Sequence, residues 1–393
     1  EASDLSQAFI RPSRSNMPLV CKPRTKGIQF LAFNQDESCV AIATNEGIKI
    51  YSLEGHDLCF DYPVGSVCVI EMLFCTSLLA FVGAGEQPSL TPRKLRVMNT
   101  STQTTIRDLS FPSSVLAIRM NRKRLVALLE NRCYVHHLDT LEILRILETP
   151  PNPKGLIAVS PSSDSCLLAL PSSSTSGKVQ VYDMLVEGGN ALSEIPAHNS
   201  PVDTMAFNQA GTVLATASAK GTVIRVFRMP HGQLLHSFRR GTYSASVYSL
   251  AFFPSGDDPE LLCATSSHGS VHLFHLKEAE RHPAAAAASS IMSHMMPKSI
   301  TDMVDSPRSL GTVKLPFSNV PALCSMQPAD GNGSGGEPGA WLQPEASARP
   351  STEKVKLAVV SMEGILYEYS VTVFPDQENM LNASLEREGS LFG

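Results

Sequence analysis

Residues 214–227 read LATASAKGTVIRVF. Small and apolar residues precede a polar turn at Gly221. After the turn, Val223, Arg225 and Phe227 occupy every second position. Such alternation places one face of a β-strand on a core, and hairpin turns favour Gly, Asn, Ser and Asp. The stretch therefore predicts two antiparallel strands joined by a tight turn.

The same pattern recurs along the chain. Clear copies lie at residues 39–51, 177–183, 264–274 and 357–367, and weaker ones at 94–97 and 125–135. The turn markers fall at positions 47, 94, 131, 177, 221, 269 and 364, so successive spacings are 47, 37, 46, 44, 48 and 95 residues. Five of these are close to the ~40–45 residues of a four-stranded propeller blade, and the sixth equals a blade plus about 50 residues.

Seven such repeats predict an all-β fold, a single-domain seven-bladed β-propeller of the WD40 type with a long insertion in its sixth blade. One blade cannot bury both of its faces alone, whereas blades packed radially can. Closing the ring also hides most strand edges. We expect the propeller to span residues 25–375, between an N-terminal tail (1–24) and a C-terminal tail (376–393).

The extra residues form two segments. Residues 278–310 are Ala- and Met-rich, and residues 328–352 are rich in Gly, Pro, Ser and Ala and predict a disordered loop. The first segment carries apolar residues at helical spacing: Ile291, Met292, Met295, Met296 and Ile300. Either it enters the headgroup region of a bilayer, or it is a poorly ordered surface insertion. From the residues alone the surface insertion is favoured, because loops vary freely.

Bulk properties exclude several classes. The net charge of −5 gives no global positive field toward nucleic acid or anionic lipid, so any anion site must be local. Nine scattered cysteines form no CxxC pair, which indicates reduced thiols in a cytosolic protein rather than zinc ligands. No apolar run reaches 18 residues. HExxH, GxSxG and Walker A motifs are absent, and the GxGxxG match at 331–336 lies in a predicted loop. We expect no enzyme, metal or cofactor.

Phe238-Arg239-Arg240-Gly241 is the motif that indicates a site. Adjacent residues of an extended chain point to opposite sides, so the two arginines can serve two neighbouring pockets. The guanidinium fork suits phosphate oxygens, and Gly241 is expected to allow a tight turn behind them.

The surroundings of the motif agree with an anion site. Residues 198–241 contain five Lys and Arg side chains against one Asp, and hydroxyls and imidazoles recur nearby. Taken singly, an Arg-Arg pair is usually a solvated face, Ser and Thr before a turn are usually turn formers, and propeller histidines are often structural. Clustered in two adjacent repeats of an acidic chain, these residues favour an anion site.

Here the chain resembles the PROPPIN family, the β-propellers that include the WIPI proteins of autophagy. The resemblance rests on ETPPNP (148–153), PAHNSP (196–201), LATAS (214–218), KGTVIRVF (220–227), FRRG (238–241), NRKRL (121–125) and TVKLPF (312–317). It covers roughly residues 27–325 and 354–371.

The resemblance implies binding of phosphatidylinositol 3-phosphate and phosphatidylinositol 3,5-bisphosphate at two headgroup sites flanking FRRG. Residues matching the first site are His198, Thr216, Ser218, Gly221, Thr222, Arg225 and Arg239. Residues matching the second are Arg240, Ser266, Ser270 and His272, and Gly241 completes the motif. The family also carries a membrane-inserting loop in its sixth blade. The resemblance therefore implies that residues 278–310 contact the membrane rather than form a poorly ordered surface insertion.

The implied role is a peripheral membrane protein that is cytoplasmic and docks on preautophagosomal, endosomal or vacuolar membranes. It would recruit autophagy proteins there, and a closed propeller can do so as a monomer. The basic run Arg122–Arg124 could meet an acidic partner or be a solvated hairpin. The alternative function is a WD-repeat-like protein scaffold without lipid affinity. Such a scaffold does not require the FRRG motif and the residues around it, so their presence distinguishes the two functions.

Overall fold

The computed structural model describes residues 27–186, 188–254, 259–276, 307–329, 353–374 and 381–392. These residues form seven four-stranded antiparallel sheets, and in every sheet neighbouring strands are consecutive in sequence. The seven-bladed propeller predicted from the repeats is confirmed, and each turn marker lies at or beside the connection between the second and third strands of one blade.

The strands of the first four blades follow chain order. Blade 1 contains β1 (Ile28–Phe33), β2 (Cys39–Thr44), β3 (Ile48–Ser52) and β4 (Leu58–Tyr62). Blade 2 contains β5 (Val67–Met72), β6 (Leu78–Gly83), β7 (Lys94–Asn99) and β8 (Thr104–Ser110), with a 3-10 helix at Pro88–Leu90. Blade 3 contains β9 (Ala117–Met120), β10 (Arg124–Leu128), β11 (Arg132–His137) and β12 (Ile143–Glu148). Blade 4 contains β13 (Ala158–Val159), β14 (Leu167–Pro171), β15 (Gly177–Asp183) and β16 (Ser193–His198).

The remaining three blades carry the candidate site and the ring closure. Blade 5 contains β17 (Val202–Phe207), β18 (Val213–Ser218), β19 (Val223–Arg228) and β20 (Gln233–Arg239). Blade 6 contains β21 (Val247–Phe253), β22 (Leu261–Ser266), β23 (Ser270–His275) and β24 (Gly311–Lys314). Blade 7 contains β25 (Ala322–Pro328), β26 (Glu353–Ser361), β27 (Ile365–Val373) and β28 (Leu381–Ser390).

The first strand of each blade lines a central channel. First strands of successive blades contact one another, and cavities of about 250 and 350 Å³ along the channel are bordered by their residues. Second and third strands are largely buried, and their Val, Leu, Ile and Ala side chains form the clusters that join adjacent blades. Outer strands such as β8 are mostly exposed. Burial therefore decreases from the inner strands of each blade to its outer strand.

Blade 7 meets blade 1 and closes the ring. The side-chain amide of Gln327 donates to the carbonyl of Glu37 at 2.8 Å, and Ile28 shares an apolar cluster with Leu366 and Leu391. β28 pairs with β27 along its whole length. The segment from residue 376, expected as a C-terminal tail, thus supplies the outer strand of the last blade between Leu381 and Ser390.

The sixth-blade insertion separates β23 from β24, since β23 ends at His275 and β24 begins at Gly311. β24 overlaps the TVKLPF stretch (312–317) on which the family resemblance partly rests. The proposed membrane-contact residues, Ile291, Met292, Met295, Met296 and Ile300, lie outside the described residues, as do the N-terminal tail and residues 330–352.

Candidate functional site

The outer strand of blade 5 carries the FRRG motif at its end. In the ladder between β19 and β20, Phe238 lies opposite Ile224 and Arg239 lies opposite Val223. Phe238 is buried and packs on Phe274 of blade 6 with ring centroids 5.0 Å apart. Because side chains alternate along a strand, Arg239 lies on the other face, toward blade 4.

The first pocket lies between blades 4 and 5. Thr216 and Arg225 are directly opposite each other in the ladder between β18 and β19, so their side chains share a face. His198, at the end of β16, reaches this face: its Nε2 lies 2.9 Å from the buried Thr216 hydroxyl. Arg225 donates to the carbonyl of Ala197. Ser218, two residues beyond Thr216, is buried on the same face.

The histidine of this pocket is neutral at physiological pH. Burial, and to a smaller extent the charge of Arg225, lowers the pKa of His198 to about 4. At neutral pH this ring therefore adds no charge to the pocket. Its imidazole instead offers a hydrogen-bonding partner beside a permanent cation.

Arg239 stands at the mouth of the first pocket. Its side chain is half-buried, and Nη2 donates to the Thr242 hydroxyl at 3.2 Å. Its backbone N–H donates to the carbonyl of Pro307 at 2.9 Å, and Arg239 forms a parallel bridge with Arg308. The chain returning from the sixth-blade insertion therefore lies directly against the motif.

The second pocket lies between blades 5 and 6. Four side chains form a hydrogen-bonded row: the hydroxyls of Ser266 and Ser270 are 2.9 Å apart, Ser270 Oγ is 3.1 Å from His272 Nε2, and His272 Nδ1 is 3.2 Å from the Thr312 hydroxyl. The pKa of His272 is lowered to about 4, mainly by burial and then by the charges of Arg240 and His268. Arg240 therefore acts on this pocket from blade 5.

Arg240 is a buried cation with fixed contacts. Only 6% of the residue is exposed. Its Nε donates to the carbonyl of Gly221, and its Nη2 donates to the carbonyl of Tyr243 at 2.6 Å. Burial lowers the pKa of its guanidinium. The backbone N–H of Arg240 donates to the carbonyl of Thr222 at 2.9 Å, so the motif is held on the turn between β18 and β19.

The glycine that this arrangement requires is Gly221. Its φ is +57°, and an added Cβ would lie 1.9 Å from the carbonyl oxygen of Ala245. Gly269 occupies the matching turn of blade 6, with φ +66° and the Phe317 carbonyl 2.1 Å from a built Cβ. Gly241 differs: a Cβ there would meet no atom within 4 Å, and its φ is not positive. Position 241 therefore does not require a glycine, and the crowded turn is at Gly221.

The structure thus groups the sequence-predicted residues into two pockets. Four come together on the face toward blade 4: His198, Thr216, Ser218 and Arg225, with Arg239 at the edge. Ser266, Ser270 and His272 come together on the facing side of blade 6 with Arg240. Gly221 and Thr222 contribute backbone carbonyls that hold the motif.

Sequence reasoning missed Thr312 and Tyr243. Thr312 belongs to the second row through β24, but the insertion separates it from His272 by 40 positions in the sequence. Tyr243 follows the motif and is 80% exposed. A Tyr directly after Arg-Arg-Gly-Thr was a visible signal for the second of these residues.

The basic run of blade 3 does not form one surface. Arg124 is buried, donates from Nε to the Met184 carbonyl at 2.8 Å, and lies 3.3 Å from His137 Nδ1. Arg122 is exposed and stacks over the Phe74 ring at 4.4 Å, and Lys123 is also exposed. Only two of the three cations are available to a partner.

Within the described ranges, no three His, Cys, Asp or Glu side chains gather as a group that could hold a metal ion. The eight cysteines of this part of the chain carry free thiols. No helix within the same ranges combines the length and the apolar character needed to cross a bilayer.

Comparison with known proteins gives consistent relatives. A family model described as PROPPIN matches residues 27–330. Autophagy-related protein 18b of Arabidopsis thaliana is 37% identical over 368 residues, which cover 93% of this chain and 96% of the relative. Autophagy-related protein 18 of Neosartorya fischeri is 38% identical over 286 residues, which cover 67% of this chain and 64% of the relative.

Solved structures share the fold at lower identity. Kluyveromyces lactis Hsv2 superposes with a TM-score of 0.69 at 18% identity, covering 93% of this chain and all of that chain. A complex of KlAtg21 with the coiled coil of AgAtg16 contains a chain that superposes with a TM-score of 0.65 at 22% identity, covering 93% of this chain and 99% of that chain.

Proposed function

The chain belongs to the PROPPIN family, and on that premise we propose that it binds phosphatidylinositol 3-phosphate and phosphatidylinositol 3,5-bisphosphate in the two pockets flanking Phe238–Gly241. One observation carries the proposal. Two adjacent arginines lie on opposite faces of one strand end, and each accompanies a buried histidine and buried hydroxyls. The protein acts as a lipid effector of autophagy and not as an enzyme.

Each pocket offers the chemistry that a phosphomonoester needs. A guanidinium donates charged, paired hydrogen bonds to phosphate oxygens. Hydroxyls such as those of Thr216 and Ser266 can donate to phosphate or accept from inositol hydroxyls. The neutral imidazoles of His198 and His272 each carry one N–H donor and one acceptor nitrogen. They can therefore hydrogen-bond to the same inositol phosphate without adding fixed charge.

The Ser270–His272 pair supports binding rather than catalysis. A nucleophilic serine needs a histidine whose other nitrogen is held by a group that stabilises the imidazolium. Here Nδ1 of His272 faces the neutral hydroxyl of Thr312, and burial keeps the pKa of the imidazole near 4. Such a ring is a weak base at neutral pH.

Two headgroup contacts on one rigid rim act together. Once one lipid is bound, the second contact is intramolecular, and avidity can exceed single-site affinity by ~10²–10⁴. The sixth-blade insertion returns beside Arg239, so a membrane-inserted segment within 278–310 would add a third contact at the same rim. We propose that insertion through Ile291, Met292, Met295, Met296 and Ile300.

The outer surfaces of the other blades remain available when the rim is on a membrane. We propose that they recruit autophagy proteins to preautophagosomal, endosomal or vacuolar membranes, with the chain monomeric in solution. The names of its relatives support a role in autophagy. The described complex with an Atg16 coiled coil concerns KlAtg21 and supports protein recruitment by this fold.

Liposome co-sedimentation tests the proposal. Vesicles contain phosphatidylinositol 3-phosphate, the 3,5-bisphosphate or phosphatidylinositol alone, and wild type is compared with Arg239→Ala and with Arg239→Ala/Arg240→Ala. We expect binding to 3-phosphorylated lipids only, reduced by Arg239→Ala and abolished by the double substitution. Wild type that ignores every lipid, or variants that bind equally, would leave the protein-scaffold function as the better account.

A further inference from the structure

The connection between FRRG and the next blade displays one aromatic side chain. Tyr243 lies in residues 241–245, between β20 and β21, and is 80% exposed. No other large hydrophobic residue in the described ranges is as exposed; the next values are 55%. A ring this open to water gains nothing from burial in the free chain, so it is available to a ligand or a surface.

The segment that carries this ring is fixed by its neighbours. Arg240 donates to the carbonyl of Tyr243 at 2.6 Å, and Arg239 donates to the hydroxyl of the preceding Thr242 at 3.2 Å. On the other side, the Ser244 hydroxyl and the Ala245 N–H both donate to the carbonyl of Lys220, at 3.0 and 3.1 Å. The ring is therefore held outward by the same arginines that border the two pockets.

The charge around the ring favours one kind of partner. Lys220 is exposed directly below the segment, and both arginines of the motif stand beside it. In residues 198–241 the only acidic residue is Asp203, which is ion-paired with Lys154. An aromatic ring with a polar tip, surrounded by cations, matches the headgroup layer of an anionic bilayer, where Tyr is enriched.

We propose that Tyr243 is an interfacial anchor that inserts its ring among lipid headgroups when the pockets on either side take phosphate. This inference rests on the proposed lipid binding and extends it to a contact that reads the bilayer surface rather than the inositol ring. It commits to a membrane as the occupant, and a groove on a protein partner is the alternative that the test separates.

The anchor predicts a difference between lipid bilayers and soluble headgroups. Tyr243→Ala is expected to weaken binding to vesicles containing phosphatidylinositol 3-phosphate by about three- to tenfold, since part of one aromatic side chain no longer leaves water. Affinity for water-soluble inositol 1,3-bisphosphate, measured by calorimetry, is expected to be unchanged. Leu234→Ala, which removes an apolar, 50% exposed side chain elsewhere on β20, is the control and should leave both affinities unchanged.

The outcomes separate the inference from the proposed function. If wild type fails to bind the vesicles, the proposed function and the anchor fall together. If wild type binds and Tyr243→Ala binds equally well, the anchor alone is overturned. Equal losses for vesicles and for inositol 1,3-bisphosphate would also overturn it, because Tyr243 would then be part of a headgroup pocket.

A fluorescence measurement places the ring directly. The chain has one tryptophan, Trp341, so Tyr243→Trp in a Trp341→Phe background reports a single position. Insertion is expected to shift the emission to shorter wavelength when vesicles containing phosphatidylinositol 3-phosphate are added, and not with phosphatidylinositol alone. Binding to the vesicles with unshifted emission would overturn the anchor and favour a protein groove as the partner of this ring.

Discussion

Arg240→Ala and Arg239→Ala are expected to differ in stability, although the two residues are neighbours with the same chemistry. Arg240 is 6% exposed and holds the carbonyls of Gly221 and Tyr243, which ties the end of β20 to the β18–β19 turn. Arg239 is half-buried, and its side chain donates to the hydroxyl of Thr242 in the exposed connection. Alanine at 240 therefore removes two internal bonds of a buried cation.

The magnitude follows from these contacts. A hydrogen bond to a charged group contributes roughly 1.5–3 kcal/mol, so two of them amount to about 3–6 kcal/mol. Part of this is offset because alanine also removes a cation that burial disfavours, as the lowered pKa of Arg240 shows. We expect a net loss of about 2–3 kcal/mol for Arg240→Ala, and a change within about 0.5 kcal/mol for Arg239→Ala.

Urea and thermal denaturation followed by circular dichroism measure the difference. For a chain of 393 residues, about 2.1 cal/mol/K of unfolding entropy per residue converts the expected loss into a melting temperature about 3 °C lower. Arg239→Ala is the matched control. If both variants have the melting temperature of wild type, or if Arg239→Ala melts at a lower temperature than Arg240→Ala, then the internal contacts of Arg240 do not stabilise the propeller and the argument is refuted.

Three further predictions follow from turns and buried ionisable groups. Gly221→Ala should destabilise the protein by about 3 kcal/mol or more, from its left-handed φ and the Ala245 carbonyl 1.9 Å from the new Cβ, whereas Gly241→Ala should stay within about 0.5 kcal/mol in the same denaturation assay; equal effects would refute this. Burial raises the pKa of Glu71 from 4.5 to about 7, so the stability that this group contributes is present below pH 4.5 and is lost as pH rises through 7. Glu71→Gln should flatten the dependence of unfolding free energy on pH over this range. An unchanged dependence would contradict the assignment. Bound phosphate should raise the pKa of His272 above its ligand-free value of about 4, so headgroup affinity should increase as pH falls from 7 to 5; calorimetry of His272→Asn should show a weaker pH dependence, and an identical one would exclude this histidine.

The repeat could be read from the sequence because inner strands and their turns are under strong physical constraint. Residues such as Gly47, Gly269 and Gly364 have positive φ, and a Cβ at each would contact the chain packed against the turn. The blade 2 copy was weak because a longer connection replaces the turn. It contains the 3-10 helix Pro88–Leu90, and Leu90 packs where a Cβ on Gly83 would stand.

The outer strand of blade 7 could not be predicted in the same way. Its sequence, LNASLEREGS, is mostly exposed, and its apolar alternation is limited to Leu381, Ala383 and Leu385. An outer strand is held chiefly by its backbone ladder to the next strand, here β27, and that pairing leaves little trace in side-chain pattern. The residues 376–393 therefore looked like a tail.

The sequence predicted the types of the residues in the candidate site, but it did not predict their structural contacts. The arginine alternation follows from strand geometry alone. The burial of Arg240 does not, because it depends on carbonyls from Gly221 and Tyr243 that reach it only in the folded ring. The same holds for Thr312, which reaches His272 across the insertion. Residue chemistry predicted which side chains gather in the two pockets, whereas tertiary contacts decide which of them also stabilise the fold.

Placing both arginines on one strand end couples the two pockets. The ladder between β19 and β20 fixes Arg239 opposite Val223, and the Thr222 carbonyl fixes the next residue. Because side chains alternate with a period of two, a slip of one residue would exchange the faces of both arginines at once. The pockets therefore cannot be moved independently by changes in β20. Under the proposed lipid binding, a rim built this way would hold the two pockets at a constant separation, as simultaneous engagement of two lipids requires.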